Sequence, residues 1–192
     1  MNEKEKEYNE IHYFWKDKVL TQLGFSINFF LTFGIAFLIY LLKQRSSYGK
    51  LIINTENSPD YGFTFYLICV FLTFLSVVCG GIAIISRLFD LRITSHILSI
   101  RKKTLEKFGE KLSNESLCAD NFNIYYKFIE LFFTRFKGLN DNSYNSFEKV
   151  KKEFLKIRLT ARELGKLTWK SHKRQIILFF TAFVIYGIKL II

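Results

Sequence analysis

The residues of this chain with the widest chemical reach are three histidines, three cysteines and a scatter of carboxylates, and their spacing gathers none of them into a motif. His12, His96 and His172 stand far apart from one another, and none has the neighbouring ligands that a zinc site needs, so no metal is expected. Cys69 and Cys79 fall inside an apolar run, where a thiol behaves as a small hydrophobe, while Cys118 lies in a polar stretch. No pair of them has the spacing of a redox or disulfide framework. The sequence also lacks a Gly-rich phosphate loop and any local Ser-His-Asp or Cys-His order. These features point away from an enzyme: no catalytic residue and no cofactor can be assigned.

Two sets of small and polar residues inside apolar runs carry more information. Gly24, Asn28, Thr32 and Ala36 recur every four residues, and Thr73, Ser76, Gly80 and Ala83 alternate steps of three and four. Each set forms one narrow helical face suited to close helix packing, with Asn28 as a hydrogen-bond donor between helices. Lining of a polar pore is the functional alternative. No carboxylate or basic residue lies well inside these runs, which leaves a proton relay or coupled transporter little to work with. A third group, Arg87, Asp90 and Arg92, follows the second run, with Asp90 about one helical turn from Arg87. It suits an interfacial ion pair with snorkelling arginines, or a contact for lipid phosphate or a partner.

The elements that position these residues follow from hydropathy. Of 192 residues, 49% are hydrophobic and 22 are Phe, while a single Pro and ten Gly leave few breaks, so helices should be long. Residues 19–42 hold no charge and would reach about 36 Å as a helix, enough to cross a bilayer. Residues 61–86 form a second uncharged run, and residues 175–192 a third that Lys189 interrupts. The first run follows 18 residues carrying five acids and has no small-residue cleavage pattern after it, so it reads as a retained anchor rather than a signal peptide. The third run is slightly short for a 30 Å core, and Lys189 would snorkel to the far surface; a helix lying along the interface is the alternative.

The charge of +11 is distributed unevenly: four Lys and Arg in residues 1–18, three in 43–60, and twenty in 87–174. The excess of Lys and Arg on the cytoplasmic side of membrane proteins places 1–18, an amphipathic segment, and 87–174 inside, with 43–60 an external loop. Trp15 and Trp169 each precede a run by a few residues and would sit in the headgroup zone. The basic stretch interleaves with apolar periodicity and adjoins a span, which favours anionic lipid over nucleic acid as its counterpart.

Within 87–174 the pattern predicts two helical arms, 87–112 and 147–174. The first carries an apolar residue every seven positions through Leu91, Leu98, Leu105 and Leu112, continuing Val70, Val77 and Ile84. The second places Phe147, Val150, Phe154, Ile157, Ala161 and Leu164 on one seam. Their similar lengths favour an antiparallel pair. Between them, residues 122–138 form an apolar helix with one narrow polar stripe, which must pack on the arms, on another subunit or on lipid. Asn140 to Ser146 reads as a loop by composition.

The expected architecture is an all-α integral membrane protein: a transmembrane hairpin, long cytoplasmic arms forming an antiparallel coiled-coil-like stalk, and a C-terminal third span, in a plasma or inner membrane with the N-terminus cytoplasmic. The function this favours is a membrane-anchored interaction or effector protein that self-associates or couples a cytoplasmic partner to the bilayer. An oligomeric ion channel lined by the first span is the alternative.

Overall fold

The computed structural model describes residues 3–47, 61–112, 123–134, 136, 138–139 and 141–191, and all regular structure among them is helical. Four α-helices follow in order: α1 (Glu3–Lys43), α2 (Tyr61–Phe108), α3 (Ile124–Phe133) and α4 (Phe147–Ile191). Short 3-10 turns occupy Gln44–Ser47 and Asp141–Asn145, so part of the expected 140–146 loop is a helical turn. Most of the 43–60 loop, Cys118 and the side chain of His12 lie outside the described residues. Three helices, α1, α2 and α4, are long and apolar enough to cross a membrane, as the uncharged runs required.

Local signals set the helix ends. Gly109 adopts a left-handed backbone (φ 69°), and its N–H closes on the Leu105 carbonyl at 2.9 Å, which stops α2. The Asn123 side chain accepts from the N–H groups of Tyr125 and Tyr126 at 3.1 and 3.2 Å and so starts α3. Thr134 ends it, donating its backbone N–H to the Glu130 carbonyl.

The chain divides into two compact units. The first comprises Met1–Ile84 and Ser171–Ile192, the second Ile85–Lys170. In the first, α1 packs through Leu23 and Ile27 against Ala83, while Leu41, Tyr66, Cys69 and Tyr186 form a second cluster. Phenylalanines of α1 and α4 interlock edge to face, Phe30 with Phe179 and Phe180, and Phe37 with Phe179.

In the second unit α2 and α4 run antiparallel. Phe108 meets Phe147, the Arg101 guanidinium lies over the Phe154 ring, and Ser86 bonds Thr168. Their core is Ile93, Ile97, Ile100, Val150, Phe154, Ala161 and Leu164, with Leu131 and Phe128 of α3 added to it. The α4 seam is the one its spacing predicts. The first-arm seam holds only in part: Leu112 is buried in this core, but Leu91, Leu98 and Leu105 are exposed, and the buried line of α2 runs instead through Ile93, Ile97, Ile100 and Thr104. Ile93 and Ile100 also stand seven apart, but the leucine stripe repeats at seven for longer, so periodicity alone favoured the wrong side. The side that meets α4 and α3 is the isoleucine side.

Candidate functional site

The two small-residue faces have opposite fates. On α2, Thr73, Ser76 and Ala83 are fully buried, and Gly80 is buried with them. The Thr73 hydroxyl bonds back to the Cys69 carbonyl at 2.7 Å, and Ser76 donates to the Gln175 carbonyl of α4 at 2.7 Å. On α1, by contrast, Asn28, Thr32 and Ala36 are exposed and Gly24 half-buried. The buried line of α1 is Leu23, Ile27 and Leu41, with Gly34. Asn28 therefore faces outward, away from the buried line of α1.

What joins α1, α2 and α4 is a set of polar residues that spacing did not reveal. Gln175 is fully buried. Its amide nitrogen donates to the Ile27 carbonyl of α1 at 3.4 Å, and its amide oxygen meets His172 Nδ1 at 3.0 Å. That oxygen can only accept, so Nδ1 carries a proton. In the neutral imidazole Nε2 is then an acceptor, and it takes the hydroxyl proton of Ser26 at 2.9 Å. Gly80 makes the junction possible, because a Cβ there would overlap the Gln175 amide. A second joint lies among Tyr40, Gln44 and Tyr186. Tyr186 donates to the Gln44 amide oxygen at 3.1 Å, and the Gln44 amide nitrogen donates to the Tyr40 hydroxyl at 2.7 Å. With the Tyr186 proton committed, Tyr40 donates to the Tyr186 oxygen at 2.9 Å, and the three bonds close a ring.

The Ser26–His172–Gln175 order has the contacts of a nucleophile, a base and an orienting group. The chemistry it supports is limited. All three sit mid-helix, where neighbouring backbone N–H groups are already bonded and cannot cradle an oxyanion, and His172 is only 4% exposed. What the contacts show is a polar joint between α1 and α4. The signal that could have located it is the rule that polar groups in an apolar surrounding need partners, applied to Ser26 and Gln175 as well as to Asn28.

Arg87 and Asp90 are half-buried and Arg92 exposed. Asp90 accepts from Thr94 at 3.5 Å, and its other oxygen lies beside Gly165 of α4. His96 has a separate role: its Nε2 accepts the Leu139 N–H at 3.3 Å, its ring meets Phe136 edge on, and Gly138 closes over it. Burial, with Lys103 nearby, lowers the His96 pKa below its ordinary value. A cleft of about 360 Å³ opens between α3 and α4, but its Lys127 and Glu130 are spent on each other at 2.8 Å, and its Thr160 bonds its own helix. Among the described residues no three His, Cys, Asp or Glu side chains cluster as metal ligands would. Comparison with protein-family models, with curated proteins and with solved structures finds no match.

Proposed function

We propose that this chain is a membrane-anchored interaction protein that crosses the bilayer through α1, α2 and α4, holds residues 87–174 in the cytoplasm as a paired helical stalk, and self-associates through the outer face of α1. The observation that carries this reading is the exposure of Asn28, Thr32 and Ala36 on the first unit. An amide left in hydrocarbon loses its hydrogen bonds with water, and a partner helix that restores them contributes about 1–2 kcal/mol. The surrounding small residues allow that helix to come close. A self-associating anchor of this kind can couple a cytoplasmic protein to the bilayer or act as an effector that perturbs it.

The test is the oligomeric state of the purified chain in detergent and in lipid nanodiscs. The wild type should be an oligomer and Asn28→Leu should shift it towards monomer; a wild type that is monomeric in both media refutes the reading. A second reading, an oligomeric channel lined by α1, draws on the amide and hydroxyl of that same face. Ion flux in liposomes separates the two. Flux that Asn28→Leu abolishes while the assembly survives favours the channel, and no conductance in any oligomeric state removes it. For orientation, cysteines placed at Ser113 or Asn142 should resist impermeant thiol reagents added to intact cells, and their labelling would invert the topology.

A further inference from the structure

Helix α3 has two faces of different fate. Ile124, Phe128 and Leu131 turn inward and join the core of the second unit, with the Phe128 ring 6.0 Å from that of Phe89. Tyr125, Tyr126, Ile129, Phe132 and Phe133 are exposed, from 51% at Tyr125 to 79% at Phe133. Their spacing of i, i+1, i+4, i+7 and i+8 places all five on one side of the helix. The charged residues of α3 cannot mask that side, because Lys127 and Glu130 close on each other at 2.8 Å. Full burial of each such side chain would be worth about 1.5–3 kcal/mol, so a ten-residue helix held this way needs a cover.

We propose that the cover is lipid: the outer face of α3 enters the anionic headgroup layer of the cytoplasmic leaflet, beside the point where α2 leaves the hydrocarbon. The proposal rests on the reading that α2 crosses the bilayer and that 87–174 is cytoplasmic. Three observations favour lipid over a protein partner. The first is height. Phe89, on which Phe128 rests, lies three residues beyond Ser86, the last residue of the uncharged run, and three residues of helix rise only about 4.5 Å. The headgroup region on each side of the core is about 5–7 Å deep, so the Phe89–Phe128 contact falls within it, while Leu131 and Thr134 lie further along, at the cleft they line with Lys156 and Thr160.

The second is residue type. Tyrosine prefers this layer because its ring is apolar and its hydroxyl wet, and two of the five exposed residues are Tyr. Exposed Trp169 marks the same level, since its neighbour Thr168 bonds Ser86 at 2.8 Å. The third is charge. Residues 87–174 hold twenty Lys and Arg against ten Asp and Glu, which draws this part of the chain towards an anionic surface.

The experiment uses the full chain with Cys69, Cys79 and Cys118 replaced by Ala, carrying one nitroxide label at Tyr126→Cys or Phe133→Cys. The protein is reconstituted in vesicles of phosphatidylcholine with phosphatidylglycerol. Collision with oxygen and with a water-soluble nickel chelate reports depth, with Lys152→Cys as the water reference and Phe74→Cys as the hydrocarbon reference. Both α3 labels should show an oxygen-to-nickel ratio several-fold above the Lys152 label, and the ratio should fall in phosphatidylcholine alone. A ratio equal to that at Lys152 overturns the proposal. Low accessibility to both reagents, with dipolar broadening that vanishes on dilution with unlabelled protein, overturns it in favour of a second copy. An undiminished ratio without phosphatidylglycerol removes the anionic lipid. If the Phe74 label itself reads as water-exposed, the spanning role of α2 fails instead, which keeps the two failures distinct. Should the cysteine-free background misfold by circular dichroism, Phe133→Trp with Trp15→Phe and Trp169→Phe gives the same answer through quenching by brominated lipid.

Discussion

The helices α2 and α4 meet twice, and with different chemistry each time. In the first unit α2 offers Cys69, Ser76 and Gly80, and α4 offers Gln175 and Ala182. In the second unit α2 offers Ile93, Ile97 and Ile100, and α4 offers Val150, Phe154 and Leu164. On the proposed reading, in which the first unit lies in lipid and the second in water, the contrast matches a difference in solvent. Against lipid, large apolar side chains gain nothing by leaving the surroundings, so small residues that let helices approach and hydrogen bonds between them do the holding. Against water, burial of apolar area is itself the driving force, and isoleucine and phenylalanine supply it. The change occurs at Ser86, where the buried line of α2 takes two successive steps of three, from Gly80 to Ala83 to Ser86, before it resumes at Ile93.

Substitutions that exchange the two chemistries should break this contrast, and the largest effect is expected at Phe154. It is fully buried in the second unit. Phe154→Asp places a charge in that core and removes an aromatic ring, which should cost about 4 kcal/mol or more and disrupt the fold or the assembly. Lys152→Asp, at an exposed position of the same helix, should cost less than about 0.5 kcal/mol. Thermal unfolding in detergent, followed by circular dichroism, measures both. Equal damage from the two would mean that no water-driven seam exists there.

The next largest effect belongs to the first unit, where the contact is a matter of space. Gly80→Ala pushes a methyl into the Gln175 amide and so loosens the joint with Ile27 and His172. It should destabilise by about 1–3 kcal/mol. The adjacent Gly81 has nothing within 4 Å of the same methyl, and Gly81→Ala should be neutral or stabilising by up to about 1 kcal/mol through helix propensity alone. If both glycines respond alike, the joint is not what holds these helices.

Much of the fold was legible in the sequence because hydrocarbon and charge leave long signals. The uncharged runs and the α4 seam through Val150, Phe154, Ala161 and Leu164 required no more than counting. What was not legible depended on which of two neighbouring stripes turns inward. The α2 line of Val70, Val77, Ile84, Leu91, Leu98 and Leu105 is the more hydrophobic of the two, yet its first three members are only half-buried and its leucines exposed, while the buried line beside it is made of Thr, Ser, Gly and then Ile. A hydrophobic count ranks Thr73 and Ser76 as defects, whereas in a close-packed bundle they are the contact surface. For the same reason Gly24, Asn28, Thr32 and Ala36 looked equivalent to the α2 set, although only the α2 set faces the other helices. The partnership of Ser26, His172 and Gln175 was out of reach, because 146 residues separate the serine from the histidine and only the packed helices bring them within 2.9 Å.

The smallest effect, and the one that sharpens the contrast most, concerns the polar contact of the second unit. There the histidine ties down a segment after α3 rather than joining buried helices, and its hydrogen bond depends on charge. His96 Nε2 accepts the Leu139 N–H, which only an unprotonated nitrogen can do. Burial is the larger reason that its pKa lies below the ordinary 6.5, and the positive charge of Lys103 adds to it. A histidine with a depressed folded-state pKa binds its proton more readily when released. Its contribution to stability is therefore fully present above 6.5 and is lost as the pH falls below that value, with the loss complete once the pH passes below the folded-state pKa. The amount at stake is one hydrogen bond, about 0.5–1.5 kcal/mol. Hydrogen exchange at the Leu139 amide should accelerate between about pH 7.5 and 5.5, beyond the intrinsic pH trend of exchange, in the wild type. His96→Gln retains an acceptor oxygen but cannot titrate, so its Leu139 protection should stay flat over that range. A wild type and variant with the same profile would show that the 136–139 segment is held by the packing of Phe136 and Gly138 alone.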